Sequence, residues 1–176
     1  MMLKNRVSII TGATGGIGRA IAHAFAKEGA ELVLTSRTKS QLEEVRNCLG
    51  DCALTAKVFE ADISDPNQVN NLVAFTLDCF GSVDVLVNCA GVYGPIGLFT
   101  ELDWGEWVEA IKINLFGTLL CMKAVLPIMM KNRKGKIINF SGGGATSSFP
   151  RFTAYAASKC AVVRLTETIA EEFKDY

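Results

Sequence analysis

The stretch Thr11-Gly-Ala-Thr-Gly-Gly-Ile-Gly18 constrains the fold of this chain more than any other. It follows directly on the short apolar run Val7-Ser8-Ile9-Ile10. It leads into a segment, Ile17 to Glu28, in which apolar residues at 17, 20, 21, 24 and 25 recur at helical spacing, with Gly29 as a natural stop. A strand, a glycine turn and a helix in immediate succession open a β-α unit. Gly12 suits a sharp exit from the strand, and Gly18 lets the helix approach the strand closely.

The remaining chain repeats that alternation. Leu32-Val33-Leu34, Ala56 to Phe59, Val83 to Val87 and Ile137-Ile138 read as strands. Thr38 with Gln41 suggests a capping box for a helix ending near Gly50. Asp65-Pro66 with Gln68 starts a helix that Gly81 closes. Asp103 with Glu106 starts a long helix towards Lys131, with Pro127 as a kink or early end, and Ala154 opens the last helix, to about Asp175. Short apolar strands separated by helices belong to a parallel sheet covered on both faces, a doubly wound α/β fold of the Rossmann type in three layers, α/β/α. No repeat, linker or low-complexity tract interrupts it, so residues 1–176 read as a single dinucleotide-binding domain.

Composition narrows the partners. The 176 residues are 49% apolar and 20% charged with a formal net charge of zero, and no Lys/Arg cluster forms a phosphate-backbone footprint, which argues against nucleic acid. No run approaches 18 consecutive apolar residues, and the glycine turn comes too early for a signal-peptide core, so neither a membrane nor an export route is expected and the cytoplasm is. The six cysteines, at 48, 52, 79, 89, 121 and 160, lack zinc-ligand spacing and read as free thiols. No metal is expected. The one histidine, His23, lies in the first helix without a nucleophile motif nearby. Acid-base work is left to Tyr, Lys or carboxylates.

A bare backbone at Gly16 would let a pyrophosphate approach the N-terminus of the first helix, where free N–H groups and the positive dipole end favour anions; Thr14 and Ile17 share that turn. The spacing, G-x-x-x-G-x-G, differs from the common dinucleotide fingerprint, and a tight turn without ligand is the plainer alternative. Behind the second strand come Thr35-Ser36-Arg37 and no carboxylate. Ser36 beside the Arg37 guanidinium suits a 2′-phosphate better than a 2′-hydroxyl, which favours NADP(H) and leaves NAD(H) open; a solvated loop charge is the alternative for Arg37. Further on, Tyr155 and Lys159 stand four apart on one helix face. An ammonium near a phenol lowers its pKa and brings it within reach of acid-base work.

Thr11-Gly12-x-x-x-Gly16-x-Gly18, Asn88-Cys89-Ala90-Gly91, Asn114 and Tyr155-x-x-x-Lys159 together, in this order, resemble the short-chain dehydrogenase/reductase family over Val7 to the last residue. The resemblance implies the family's roles. The residue matching Tyr155 passes a proton to or from the substrate oxygen. The one matching Lys159 holds the nicotinamide ribose and lowers the tyrosine's pKa, and the one matching Asn114 supports a water-mediated proton relay to that lysine. Asn88, Ala90 and Gly91 lie beside the cofactor, with Cys89 replacing a second asparagine, and Asp62-Ile63 meets the adenine ring.

Two features depart from the pattern. The family's substrate-orienting serine stands thirteen residues before the tyrosine, which here is Gly142; Ser141 is the candidate, with Ser147 or Ser148 as alternatives. The family also continues past the tyrosine-lysine helix with further strands and a lid. Against that pattern the 176-residue chain is expected to lack the last strands and to turn over poorly. The implied activity is interconversion of a carbonyl and a secondary alcohol by hydride transfer on a small-molecule substrate, 3-oxoacyl or similar ketone reduction included; the alternative is a non-catalytic nucleotide-binding module. Tyr93 to Trp107, with Trp104 and Trp107, hints at an aromatic pocket wall. Leu115, Leu119, Met122 and Val125 form one apolar stripe and Val162, Leu165, Ile169 and Phe173 another. Packing on the sheet explains both, and the family uses these helices to build homodimers and homotetramers.

Overall fold

The computed structural model describes all residues, Met1–Tyr176. Five strands form one parallel sheet: β1 (Val7–Thr11), β2 (Glu31–Ser36), β3 (Ala56–Glu60), β4 (Val85–Asn88) and β5 (Lys136–Asn139), in the order β3-β2-β1-β4-β5. The helices are α1 (Gly16–Lys27), α2 (Lys39–Asn47), α3 (Pro66–Phe80), α4 (Trp104–Ile111), α5 (Thr118–Lys131) and α6 (Thr153–Glu172). The strand order reverses between β1 and β4, whose last residues, Thr11 and Asn88, lie side by side. That reversal opens a crevice at the carboxyl ends of the strands, where such sheets bind ligands.

Successive strand residues point to opposite faces, and each face has its own core. Ile10, Leu32, Leu34, Val85 and Val87 pack under α1 and α2. Ile9, Val33 and Leu86 pack under α3 and α5, with Leu165 and Ile169 of α6 against them. Apolar residues on both faces explain why the strands read as unbroken hydrophobic runs. β5 pairs only with β4, and Ile138 on it is exposed.

The caps divide by chemistry. Asp65 accepts from the N–H groups of Asn67 and Gln68, and Gly81 ends α3 in the left-handed region at φ 73°. Asp103 accepts from Glu106 N at 2.8 Å. Thr38 sits at the N-cap of α2 but its hydroxyl makes no capping bond, so the expected capping box is not formed; α2 ends at Asn47 and a 3₁₀ turn, Gly50–Thr55, follows. In α1 the buried residues are Gly18, Ala22 and Ala26, while Ile17 is exposed. Here the expected stripe is displaced: the close approach at Gly18 centres the small residues on the sheet, while Ile21 and Phe25 stay half-buried at the flank of the same core.

Trp104 to Lys131 runs as one helical rod, α4 and α5 joined by a π-helical segment, Lys112–Gly117. Pro127 lies inside α5 without ending it. The rod is long and apolar enough to cross a membrane by length and composition. It is spent on the core instead: Cys121, Met122, Val125 and Met129 all pack beneath the sheet.

Candidate active site

Gly12 leaves β1 at φ +61°, and a Cβ there would stand 2.7 Å from both the N and Cα of Ala90. The turns behind β1 and β4 therefore touch backbone to backbone. Thr11 fastens them, its hydroxyl accepting from Ala90 N at 3.2 Å. At Gly18 a Cβ would meet Gly12 O and stand 2.8 Å from Ala13 Cα, so the helix N-terminus is drawn onto the turn. A Cβ at Gly16 would meet nothing within 4 Å.

A cleft of about 260 Å³ starts at this turn. Gly12, Thr14, Ala90 and Gly91 line one end, and Ser36, Arg37, Asp62 and Ile63 the other. Gly15, Thr38, Gln41 and Ala61, none of them anticipated as site residues, line it too, as does Cys89 of the Asn88–Gly91 motif. Asp62 is held by a loop of its own: Gln68 Oε1 accepts its N–H at 2.8 Å, and its Oδ1 accepts from Ser64 N and Oγ. Ile63 presses on the π segment, where a Cβ at Gly117 would lie 2.6 Å from its Cδ1. Arg37 is exposed and in no ion pair, free to meet an anion. The bare glycine edge fits a dinucleotide, with the Arg37 guanidinium at the far end of the cleft.

A second cleft, of about 240 Å³, shares Cys89, Gly91 and Val92 with the first and is closed by Ile17, Tyr93, Phe140, Ser141, Tyr155 and Lys159. Lys159 is only 6% exposed; its Nζ donates to Phe140 O at 2.9 Å and lies 5.8 Å from the Tyr155 ring centre. Asn114, on the π segment, is fully buried. Its amide brackets Val92, accepting from N and donating to O, both at 2.8 Å, and donates to Ser158 Oγ at 2.9 Å. π segments commonly mark functional sites; this one turns Asn114 towards the loop behind β4. The point above Gly91 where a Cβ would stand is 3.1 Å from Asn114 Oδ1 and 3.6 Å from Lys159 Nζ. A side chain there would separate the two.

Several residues sit elsewhere than expected. Asn88 lines neither cleft: it is buried, donates to Asn139 Oδ1 at 2.8 Å, and through Asn139 reaches Thr166 of α6. It ties β4 to β5. Gly16 and Gly18 shape the turn without lining either cleft. Ser147 donates to Gly143 O and Ser148 is exposed, and of the three serines only Ser141 lines the second cleft. At Gly142 a Cβ would collide with the Tyr155 hydroxyl and lie 2.7 Å from Cε1. The tyrosine thus occupies the room a side chain at 142 would need. Of the aromatic stretch, Tyr93 lines the site; Trp104 is 72% exposed, stacked on Trp107, whose Nε1 donates to Thr153.

Burial raises the Tyr155 pKa above its ordinary value, with Tyr93 adding to the effect. The expected lowering by Lys159 does not appear: burial and Tyr93 set the direction, and the ammonium donates to the Phe140 carbonyl instead of to the phenol. Burial pushes the Cys89 thiol up to about 11 against the pull of Lys159. It also lowers the Lys159 pKa, Cys89 opposing. The unfolded chain therefore holds that proton more tightly, and stability rises with pH from the lowered value towards the ordinary 10.5. Lys159→Met removes this dependence. The variant is expected to gain on the parent in melting temperature at pH 7 relative to pH 9.5, on the scale of about 2–4 °C for each kcal/mol. Thermal melts at both pH values check it. A difference between parent and variant that does not change with pH overturns it.

A parallel sheet with a glycine turn at its switch point and a Tyr-Lys pair beside it defines a class, the α/β oxidoreductases that work with a dinucleotide. The chain belongs to the short chain dehydrogenase family, whose model matches residues 6–176. It is an oxidoreductase acting on CH–OH groups. An uncharacterized oxidoreductase of Staphylococcus saprophyticus is 34% identical over 170 residues, covering 97% of this chain and 68% of the relative. Among solved structures, NAD+-bound xylitol dehydrogenase superposes with a TM-score of 0.95 at 28% identity, covering 99% of this chain and 67% of that one. A metagenomic short-chain oxidoreductase in complex with NADP superposes with a TM-score of 0.93 at 32% identity, covering 99% and 79%.

Proposed function

We propose that the protein interconverts a carbonyl and a secondary alcohol, with NADP(H) preferred and NAD(H) accepted more weakly. The observation that carries this reading is the continuity of the two clefts, one ending on Arg37 and the other on Tyr155 and Lys159. Gly12, Thr14, Ala90 and Gly91 would hold the pyrophosphate side, Asp62 and Ile63 the adenine, and Ser36 with Arg37 the 2′-phosphate. The bound nicotinamide supplies or accepts the hydride. Tyr155, a phenol that is protonated at neutral pH and that burial keeps so, donates its proton to the carbonyl oxygen. Ser141 orients that oxygen from the same cleft, Lys159 holds the nicotinamide ribose, and Asn114 fixes the Val92 loop. A 3-oxoacyl thioester or a similar ketone falls within this reading.

Homodimers or homotetramers belong to it as well, supported by Phe116 and Leu119, which stand exposed on the α4–α5 rod. So does a cytoplasmic location, supported by six free thiols.

Calorimetric titration tests the cofactor half. NADPH is expected to bind at least about tenfold more tightly than NADH, the worth of one charge-assisted contact. Arg37→Ala is expected to erase most of that difference without weakening NADH. Equal affinities in the parent, or an unchanged ratio in the variant, would count against the assignment. NADPH consumption with a ketone tests the other half.

A further inference from the structure

Beside the reacting hydroxyl stand more aromatic rings than the fold needs. Tyr93 lies with its ring centre 5.0 Å from that of Tyr155 and 5.5 Å from that of Phe152, edge-on to the latter. Phe152 stacks on Phe149 at 4.4 Å and 18°, and Phe149 turns back to Tyr155 at 6.3 Å. The four rings form a closed circuit with Tyr155 as one member. They belong to neither core cluster, and Tyr93 and Phe149 remain 58% and 36% exposed.

The backbone holds this wall in place. Phe152 N donates to Phe149 O at 3.2 Å, Arg151 between them takes a left-handed φ of 71°, and its carbonyl accepts from Gly97 N at 3.1 Å. The segment is thus tied to the loop behind β4, and Thr153, next in the chain, accepts from Trp107 Nε1. Among the residues lining the Tyr155 cleft, Lys159 carries the one charge, and that ammonium is engaged with Phe140 O. No arginine or carboxylate lines that cleft to meet an anionic substrate.

We propose that the carbonyl substrate carries a flat ring next to the reacting carbon, an aryl or cyclic unsaturated ketone, and that Tyr93, the ring of this wall that lines the cleft beside Tyr155, selects it by ring-to-ring contact. This rests on the assignment of Tyr155 as the group facing the carbonyl. Offset or edge-on ring pairs contribute beyond their buried area. Straight-chain ketones of equal carbon number forgo that contribution, and small charged oxo acids meet no partner.

The test is calorimetric and needs no turnover. Acetophenone, 2-octanone and pyruvate are titrated into the 176-residue chain with and without saturating NADP+, which cannot reduce them. Acetophenone is expected to bind about tenfold more tightly than 2-octanone, a decade being the upper end of one ring contact, and pyruvate more weakly still. Tyr93→Leu keeps an apolar side chain but removes the ring, and is expected to bring acetophenone down to the level of 2-octanone. Tyr93→Phe keeps a ring and is expected to retain the preference. Equal affinity for the two ketones, no detectable acetophenone binding, or a preference untouched by Tyr93→Leu would overturn the proposal. Failure of the oxidoreductase reading shows separately, as a chain that binds no nicotinamide nucleotide.

Discussion

Tyr155→Phe is expected to lower kcat/KM for carbonyl reduction by about 10²–10⁴-fold, the range removed with a positioned proton donor. Nucleotide affinity and melting temperature are expected to stay near those of the parent. The reason for that separation is local. The ring is held by Tyr93 and Phe149, and the hydroxyl faces Gly142, where there is no side chain. Removing one oxygen leaves the ring packing intact and deprives the substrate oxygen of its proton. Steady-state kinetics with NADPH, beside a thermal melt and a nucleotide titration, check all three quantities. Activity within threefold of the parent would show that the proton comes from elsewhere, with Ser141 the next group in the cleft.

Gly12→Ala is expected to destabilise the fold by about 2–5 kcal/mol, adding the cost of a left-handed non-glycine residue to that of an overpacked contact. That is a large share of the roughly 5–15 kcal/mol that holds a domain together. Every atom the new Cβ would meet, in Cys89 and Ala90, is backbone, so no rotamer change relieves the clash. Nucleotide binding is expected to go with it, because Gly12 and Ala90 line the same cleft. Gly16→Ala is the control. Its Cβ meets nothing, and alanine is the better helix former by about 1 kcal/mol. It should melt no lower than the parent, and it weakens nucleotide binding if the pyrophosphate lies along that edge. Urea denaturation of both variants separates the cases; a Gly12→Ala chain as stable as the parent would mean that the β1 and β4 turns can part without cost.

The order of strands and helices was legible in the chain because it depends on local chemistry. Apolar runs of strand length, helical periodicity, and the caps at Asp65 and Asp103 each need only a few neighbouring residues. Gly12 and Gly18 were legible for a related reason: each serves a turn whose ends lie within one β-α unit or beside it. The pairing of Tyr155 with Lys159 followed from one helix face.

What the tertiary structure decided depends on residues far apart in the chain. The buried face of α1 is set by how closely Gly18 brings it to the sheet, so Ala22 and Ala26 are covered and Ile17 is not. The π segment that carries Asn114 to Val92 has no sequence mark, because its contacts, Val92 at Asn114 and Ile63 at Gly117, come from loops far away in the chain. Asn88 reads as a cofactor neighbour, yet Asn139, fifty-one residues away, claims its amide. The Tyr155 pKa moves opposite to the helix-face argument, since burial and the neighbouring Tyr93, brought up from a distant loop, govern it. The rings at 149 and 152 join Tyr93 across a loop that no spacing rule connects. Local sequence chose the elements and the turn; packing between distant segments chose which side chains face the reaction.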